Sequence, residues 1–136
     1  MRILIVLGLL LAAHLNLTAL VPARAGQAPP PWWVGGRIVW PFGLDTHTLV
    51  HGDALNTLTP LLGIASCLLF VLAAGAVLGW VVPAHLAAGL VITGAACSLV
   101  LQVVWISPWA VLPLLMDAAL LWVALAPQVT AVGVHA

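Results

Sequence analysis

Residues 61–82, LLGIASCLLFVLAAGAVLGWVV, and residues 84–106, AHLAAGLVITGAACSLVLQVVWI, follow one another without a single charged side chain. Only Pro83 separates them. Each is close to the ~20 residues that an α-helix needs to cross a hydrocarbon core about 30 Å thick. In hydrocarbon a bare backbone N–H or C=O finds no partner, so an uninterrupted apolar run of this length has to be helical. A barrel strand would be shorter and would alternate with polar residues, which these runs do not do. The short link predicts a tight antiparallel hairpin.

Working outward, two more apolar runs appear, at residues 3–21 and 109–126. The sequence therefore predicts an all-α fold, an integral membrane bundle of four transmembrane helices over about 3–22, 60–82, 84–106 and 108–126. Residues 1–136 form a single transmembrane domain, and residues 23–59 form a Trp/Pro-rich interfacial loop between helices one and two. Thr59-Pro60 and Ser107-Pro108 precede the second and fourth helices, where a hydroxyl can cap free N–H groups and Pro suits the first turn. Pro113 is expected inside the fourth helix, freeing the carbonyl of Trp109 and kinking it.

Composition agrees. Of 136 residues 65% are hydrophobic and 4% are charged, against about 25% charged in a soluble domain. The mean hydropathy is +1.27. The six charges are Arg2, Arg24, Arg37, Asp45, Asp53 and Asp117. With a net charge of zero and no basic run there is no footprint for nucleic acid. Partners are expected to be the lipid bilayer, other membrane subunits or a second copy. Cys67 and Cys97 lie in apolar runs and read as buried packing residues rather than a disulfide.

The first helix has a second reading. Met1-Arg2, an apolar run and Ala23-Arg24-Ala25 before Gly26 resemble a secretory signal with a small-residue cleavage site. The run is long for such a signal, His14 and Asn16 interrupt it, and Gly8 and Ala12 offer a contact surface. Both readings place the N-terminus in the cytoplasm and residues 23–59 outside, although the Arg count does not itself settle orientation.

Asp117 is the residue with the most chemical content. A carboxylate near a helix centre costs about 2.5–3.5 kcal/mol on insertion scales, so it is expected to face the bundle. There, desolvation disfavours its charged form. Counting along the helices puts His14, Asn16, Ser66, Ser98 and Gln102 at a similar depth, which predicts one polar pocket opening toward the long loop. Trp40 and Trp105, with Trp33, can stack a ring at its mouth. The candidate binding residues are thus Asp117, His14, Asn16, Gln102, Trp40 and Trp105. No catalytic residue and no cofactor is assigned. The competing reading is interhelical hydrogen bonding that only fixes packing, at about 0.6–2 kcal/mol per contact.

Asp45, His47, His51 and Asp53 make a second constellation of metal-ligand type. Gly52 weakens a helix there and the spacing fits no zinc motif, so a solvated loop is the better reading. Gly75 and Gly79 form a GxxxG pair, and Gly94 and Ser98 a second pair of small residues, both suited to close helix contact.

Gly36-Arg37-Ile38-Val39-Trp40-Pro41-Phe42-Gly43-Leu44, Pro60-Leu61-Leu62-Gly63, Trp105-Ile106-Ser107-Pro108-Trp109 and Leu115-Met116-Asp117 resemble small uncharacterised bacterial membrane proteins similar to the DoxX-like group. The resemblance spans roughly residues 30–125. It implies a four-helix fold in a bacterial inner membrane and no defined activity. Some DoxX-like proteins are linked to quinone-dependent sulfur oxidation, but none of their functional residues is matched here. Three functions stay open: a structural or accessory subunit of a membrane assembly, a small proton-coupled transporter using Asp117, and a quinone-binding oxidoreductase subunit. The second resembles four-helix multidrug exporters, which carry their acid in the first helix.

Overall fold

A computed structural model describes residues 1–21, 28, 31–34, 36–42 and 47–134, without the side chains of 34 and 127–134. The chain is mostly helical. Helix α1 spans Arg2–Leu17 and runs into a 3-10 turn at Thr18–Leu20. A 3-10 turn at Trp32–Val34 and the short α2, Gly36–Val39, follow. Strand β1 is His47–Thr48 and helix α3 is Asp53–Leu78. A 3-10 turn at Ala84–Leu86 leads into α4, Ala87–Val104. Strand β2 is Trp105–Ile106, and α5 is Val111–Val134.

The four long helices close a ring in which α3 packs on α1 and α4, and α5 packs on α4 and α1. Three segments, Arg2–Leu20, Asp53–Leu78 and Ala84–Val104, are long and apolar enough to cross a membrane, and the apolar part of the fourth helix, Val111–Ala126, is shorter. Many outward-facing side chains are large and apolar: Leu4, Leu61, Leu115 and Trp122 are all more than half exposed.

Several helix limits differ from the sequence expectation, each for a local reason. Helix α3 begins at Asp53, not near residue 60, so Pro60 lies inside it rather than in its first turn. Pro there removes the bond to the carbonyl four residues back, at Asn56. The same helix ends at Leu78 rather than 82, because Gly79 adopts φ +73. The Gly79 N–H donates to Ala76 O and the Trp80 N–H to Gly75 O, a Schellman closure that glycine allows without a Cβ clash. Helix α4 stops at Val104, where the chain turns into β2. Helix α5 starts at Val111, which puts Pro113 in its first turn, where no i−4 bond within the helix is lost, instead of the expected internal kink. Ser107 Oγ accepts the Trp109 N–H at 3.1 Å, in the turn that precedes α5 rather than in the helix itself. Thr59 lies inside α3 and does not cap it.

The interior has two apolar clusters. Leu9, Ala12, Ala13, Phe70, Ala73, Ala74, Val91, Ala95 and Leu120 fill the half nearer the α3–α4 turn. Ala19, Phe42 and Leu101, with Leu62 and Trp105, fill the other end. Helices α3 and α4 meet most tightly at Gly94, where a Cβ would stand 3.1 Å from the Phe70 ring and 3.2 Å from Leu69 Cβ. The pair Gly75 and Gly79 makes no such contact: a Cβ at either would meet nothing within 4 Å.

Candidate functional site

Between the two apolar clusters, every long helix contributes a buried polar side chain: Asn16 on α1, Ser66 on α3, Ser98 on α4 and Asp117 on α5. Contacts fix their register. Asn16 O lies 3.2 Å from where a Cβ on Gly63 would stand, three residues before Ser66. Phe70 meets Gly94, and Ser66 and Ser98 each stand four residues from that contact toward the same end. Ser98 Oγ then donates to Asp117 Oδ2 at 2.6 Å. Asn16 Nδ2 donates back along α1 to Ala12 O at 2.9 Å, which draws its head down to the level of Ser66 and Ser98. Ser66 Oγ donates to Gly63 O at 3.1 Å.

Gln102 completes the layer one turn above Ser98. Gln102 also lines a groove of about 280 Å³ with Leu99, Val103, Ile106, Ser107, Ala110 and Leu114. The layer is rich in unused hydrogen-bonding capacity. Asp117 Oδ1, Asn16 Oδ1 and both Gln102 Oε1 and Nε2 are buried with no partner. Such atoms are uncommon in folded chains, because each forfeits its hydration, at about 1–3 kcal/mol.

The candidate residues therefore separate. Asp117, Asn16 and Gln102 are buried in the layer, at 1%, 1% and 6% exposure. His14 is not with them: it is exposed on the outer face of α1. Positions 14 and 16 are about 200° apart around a helix, so burying Asn16 turns His14 outward. The Asp117–His14 pocket expected from depth does not form.

Two Trp side chains hold the cap. Trp40 Nε1 donates to Val21 O at 2.8 Å. Trp105 Nε1 donates to Thr59 Oγ1 at 2.7 Å, which takes the hydroxyl that was expected to cap α3. Trp105 also meets Phe42 edge-on, with ring centroids 6.3 Å apart. The Arg37 guanidinium sits 5.5 Å from the Trp109 ring centroid. Strand β1 pairs antiparallel with β2, His47 opposite Ile106 and Thr48 opposite Trp105, and the Leu49 N–H donates to Val104 O. The described parts of 23–59 are thus fastened to one end of the bundle. Trp33 is largely exposed, away from any ring sandwich with Trp40 and Trp105.

A groove of about 290 Å³ lies beside Trp105, lined by Ala19, Leu20, Leu55, Asn56, Thr59 and Pro60 as well. Asp117 is not among its walls. Of the metal-type constellation, Asp45 lies outside the described residues, as do Ala23-Arg24-Ala25 and Gly26. Among the described residues no three His, Cys, Asp or Glu side chains gather to hold a metal ion. Both cysteines are free. No family model, no curated protein and no solved structure matches the chain. The DoxX-like resemblance is carried by its short motifs alone.

Proposed function

We propose that this chain is a multi-pass protein of a bacterial inner membrane, with four spanning helices, a cytoplasmic N-terminus and the Trp-rich cap outside, serving as an accessory subunit of a larger membrane assembly. Lipid as solvent is supported by the outer surface of the helices. A soluble monomer rarely exposes an apolar patch beyond a few hundred Å², whereas here Leu, Ile, Val and Trp cover the outside of every long helix.

The observation that carries the assembly reading is His14. It sits in an exposed stripe of α1 with Leu7, Leu10, Leu11 and Leu17. The Trp40 bond to Val21 O puts an indole, a headgroup-level side chain, at the end of this helix. His14 is seven residues deeper, about 10 Å at 1.5 Å per residue. An ionisable group at that depth faces protein or water, not hydrocarbon. Its own bundle lies on the other side of the helix, so another polypeptide is the partner that suits it.

Asp117 supports the same reading over exchange or quinone chemistry, because it is sealed from solvent and bonded to Ser98. The test is extraction in mild detergent followed by native electrophoresis. The wild-type chain is expected in a complex heavier than its micelle-bound monomer, and His14→Leu is expected to release it. A wild-type chain recovered alone and monodisperse refutes the subunit reading, as does a complex indifferent to His14→Leu.

A further inference from the structure

The polar layer has an imbalance of charge and of hydrogen bonding that points to one kind of ligand. Beyond Arg37 the sequence has no Lys or Arg, so α3, α4 and α5 offer Asp117 no cationic partner. Arg2 stands at the far end of α1. Burying an ionised carboxylate without a counter-charge is costly. Among the described residues, three of the four unpaired buried side-chain atoms are oxygens: Asp117 Oδ1, Asn16 Oδ1 and Gln102 Oε1. They belong to a carboxyl and two carboxamides, the hard oxygen donors that bind hard cations. The Ser98 hydroxyl already stands 2.6 Å from the same carboxyl and adds a fourth oxygen.

We propose that Asp117, Asn16, Gln102 and Ser98 bind a small monovalent cation of the sodium class at the centre of the bundle. Three helices supply the oxygens: α1 supplies Asn16, α4 supplies Gln102 and Ser98, and α5 supplies Asp117. The single carboxylate balances one positive charge. A divalent ion would leave a buried surplus charge, which sets the valence. The close packing just below, where Phe70 meets Gly94, favours a small dehydrated ion over a large one. The site is independent of any partner subunit, so it stands or falls apart from the assembly reading.

The test uses the purified full-length protein in detergent micelles. Thermal unfolding is followed by circular dichroism at fixed pH and constant chloride, with sodium replaced stepwise by choline, and with potassium and magnesium in parallel. Sodium is expected to raise the midpoint and to saturate. At a hundredfold excess over its Kd the folded-to-unfolded ratio rises about a hundredfold. Asp117→Asn is expected to abolish the sodium increment and Gln102→Met to weaken it. Equal midpoints in sodium and choline for the wild-type chain overturn the proposal. So does a stability that responds to pH but never to sodium, since a proton then neutralises Asp117. If Asp117→Asn does not fold, 23Na NMR line broadening on the wild-type chain and on Gln102→Met decides. Broadening by the first that the second reduces supports the site, and equal spectra overturn it.

Discussion

Adding one methyl group at position 94 tests the helix contact on which the polar layer rests. A Cβ on Gly94 would lie 3.1 Å from both Cδ1 and Cε1 of Phe70 and 3.2 Å from Leu69 Cβ. Neither neighbour yields easily: Phe70 is fully buried, and a Cβ moves only with its backbone. Helices α3 and α4 must separate by a few tenths of an ångström, and overpacking of this kind costs about 1–3 kcal/mol. Replacing a mid-helix glycine by alanine returns about 0.5–1 kcal/mol of backbone entropy. The net loss for Gly94→Ala therefore lies between about 0 and 2.5 kcal/mol, about 1.25 at the midpoints of the two ranges. Gly75→Ala and Gly89→Ala place their methyl groups in open space, so they keep only the gain, about 0.5–1 kcal/mol. The three variants, unfolded by heat or denaturant in detergent and followed by circular dichroism, should differ in sign. Phe70→Leu in the Gly94→Ala background should recover part of the loss relative to the two single changes summed. The reasoning fails if Gly94→Ala matches the wild-type chain, or if Gly75→Ala is the more harmful change.

Ser98→Ala removes the only donor to Asp117 Oδ2 among the hydrogen bonds above and should cost about 1–3 kcal/mol; Asp117→Asn, whose amide oxygen still accepts from Ser98, should cost less in the absence of sodium, by the same unfolding assay. Trp105→Phe keeps the edge contact with Phe42 but loses the bond to Thr59, for a loss of about 1 kcal/mol. Thr59→Val combined with Trp105→Phe should add little to either single change, which a double-mutant cycle measures. A chain started at Gly26 removes Leu9, Ala12, Ala13 and Leu15 from the interior. It should lose cooperative unfolding and aggregate on extraction, as seen by size-exclusion chromatography.

Helix content and the depth of Asp117 were legible because both follow from runs of apolar residues and a count along the helix axis. Rotation about that axis was the harder quantity. Depth alone puts Asn16 and His14 in one pocket, yet two residues apart on a helix they face opposite ways. The signal was present in the positions of Gly8, Ala12 and Asn16, which share a side that excludes His14. Gly79 was ambiguous in a different way. A glycine four residues after another reads equally as a helix contact or as a left-handed stop, and only the bond from Trp80 N–H to Gly75 O separates them. Pro60 carried the same double meaning, as a first-turn residue or an internal one. The Ser98–Asp117 bond joins two helices whose relative rotation no local pattern encodes. The indole bonds of Trp40 and Trp105 lie equally beyond it, because their acceptors, Val21 and Thr59, are distant in sequence.

The β1–β2 pairing has a consequence for biogenesis. Thr48 is synthesised long before Trp105, its opposite number. At about 5–20 residues per second, the first segment waits several seconds for the second. During that interval the cap is attached to nothing at its β1 end, while α3 and α4 leave the ribosome. Pairing of the cap is therefore a late event that must wait for α4 and β2 to be made. A translocon or chaperone that handles the nascent chain meets this segment before its partner strand exists.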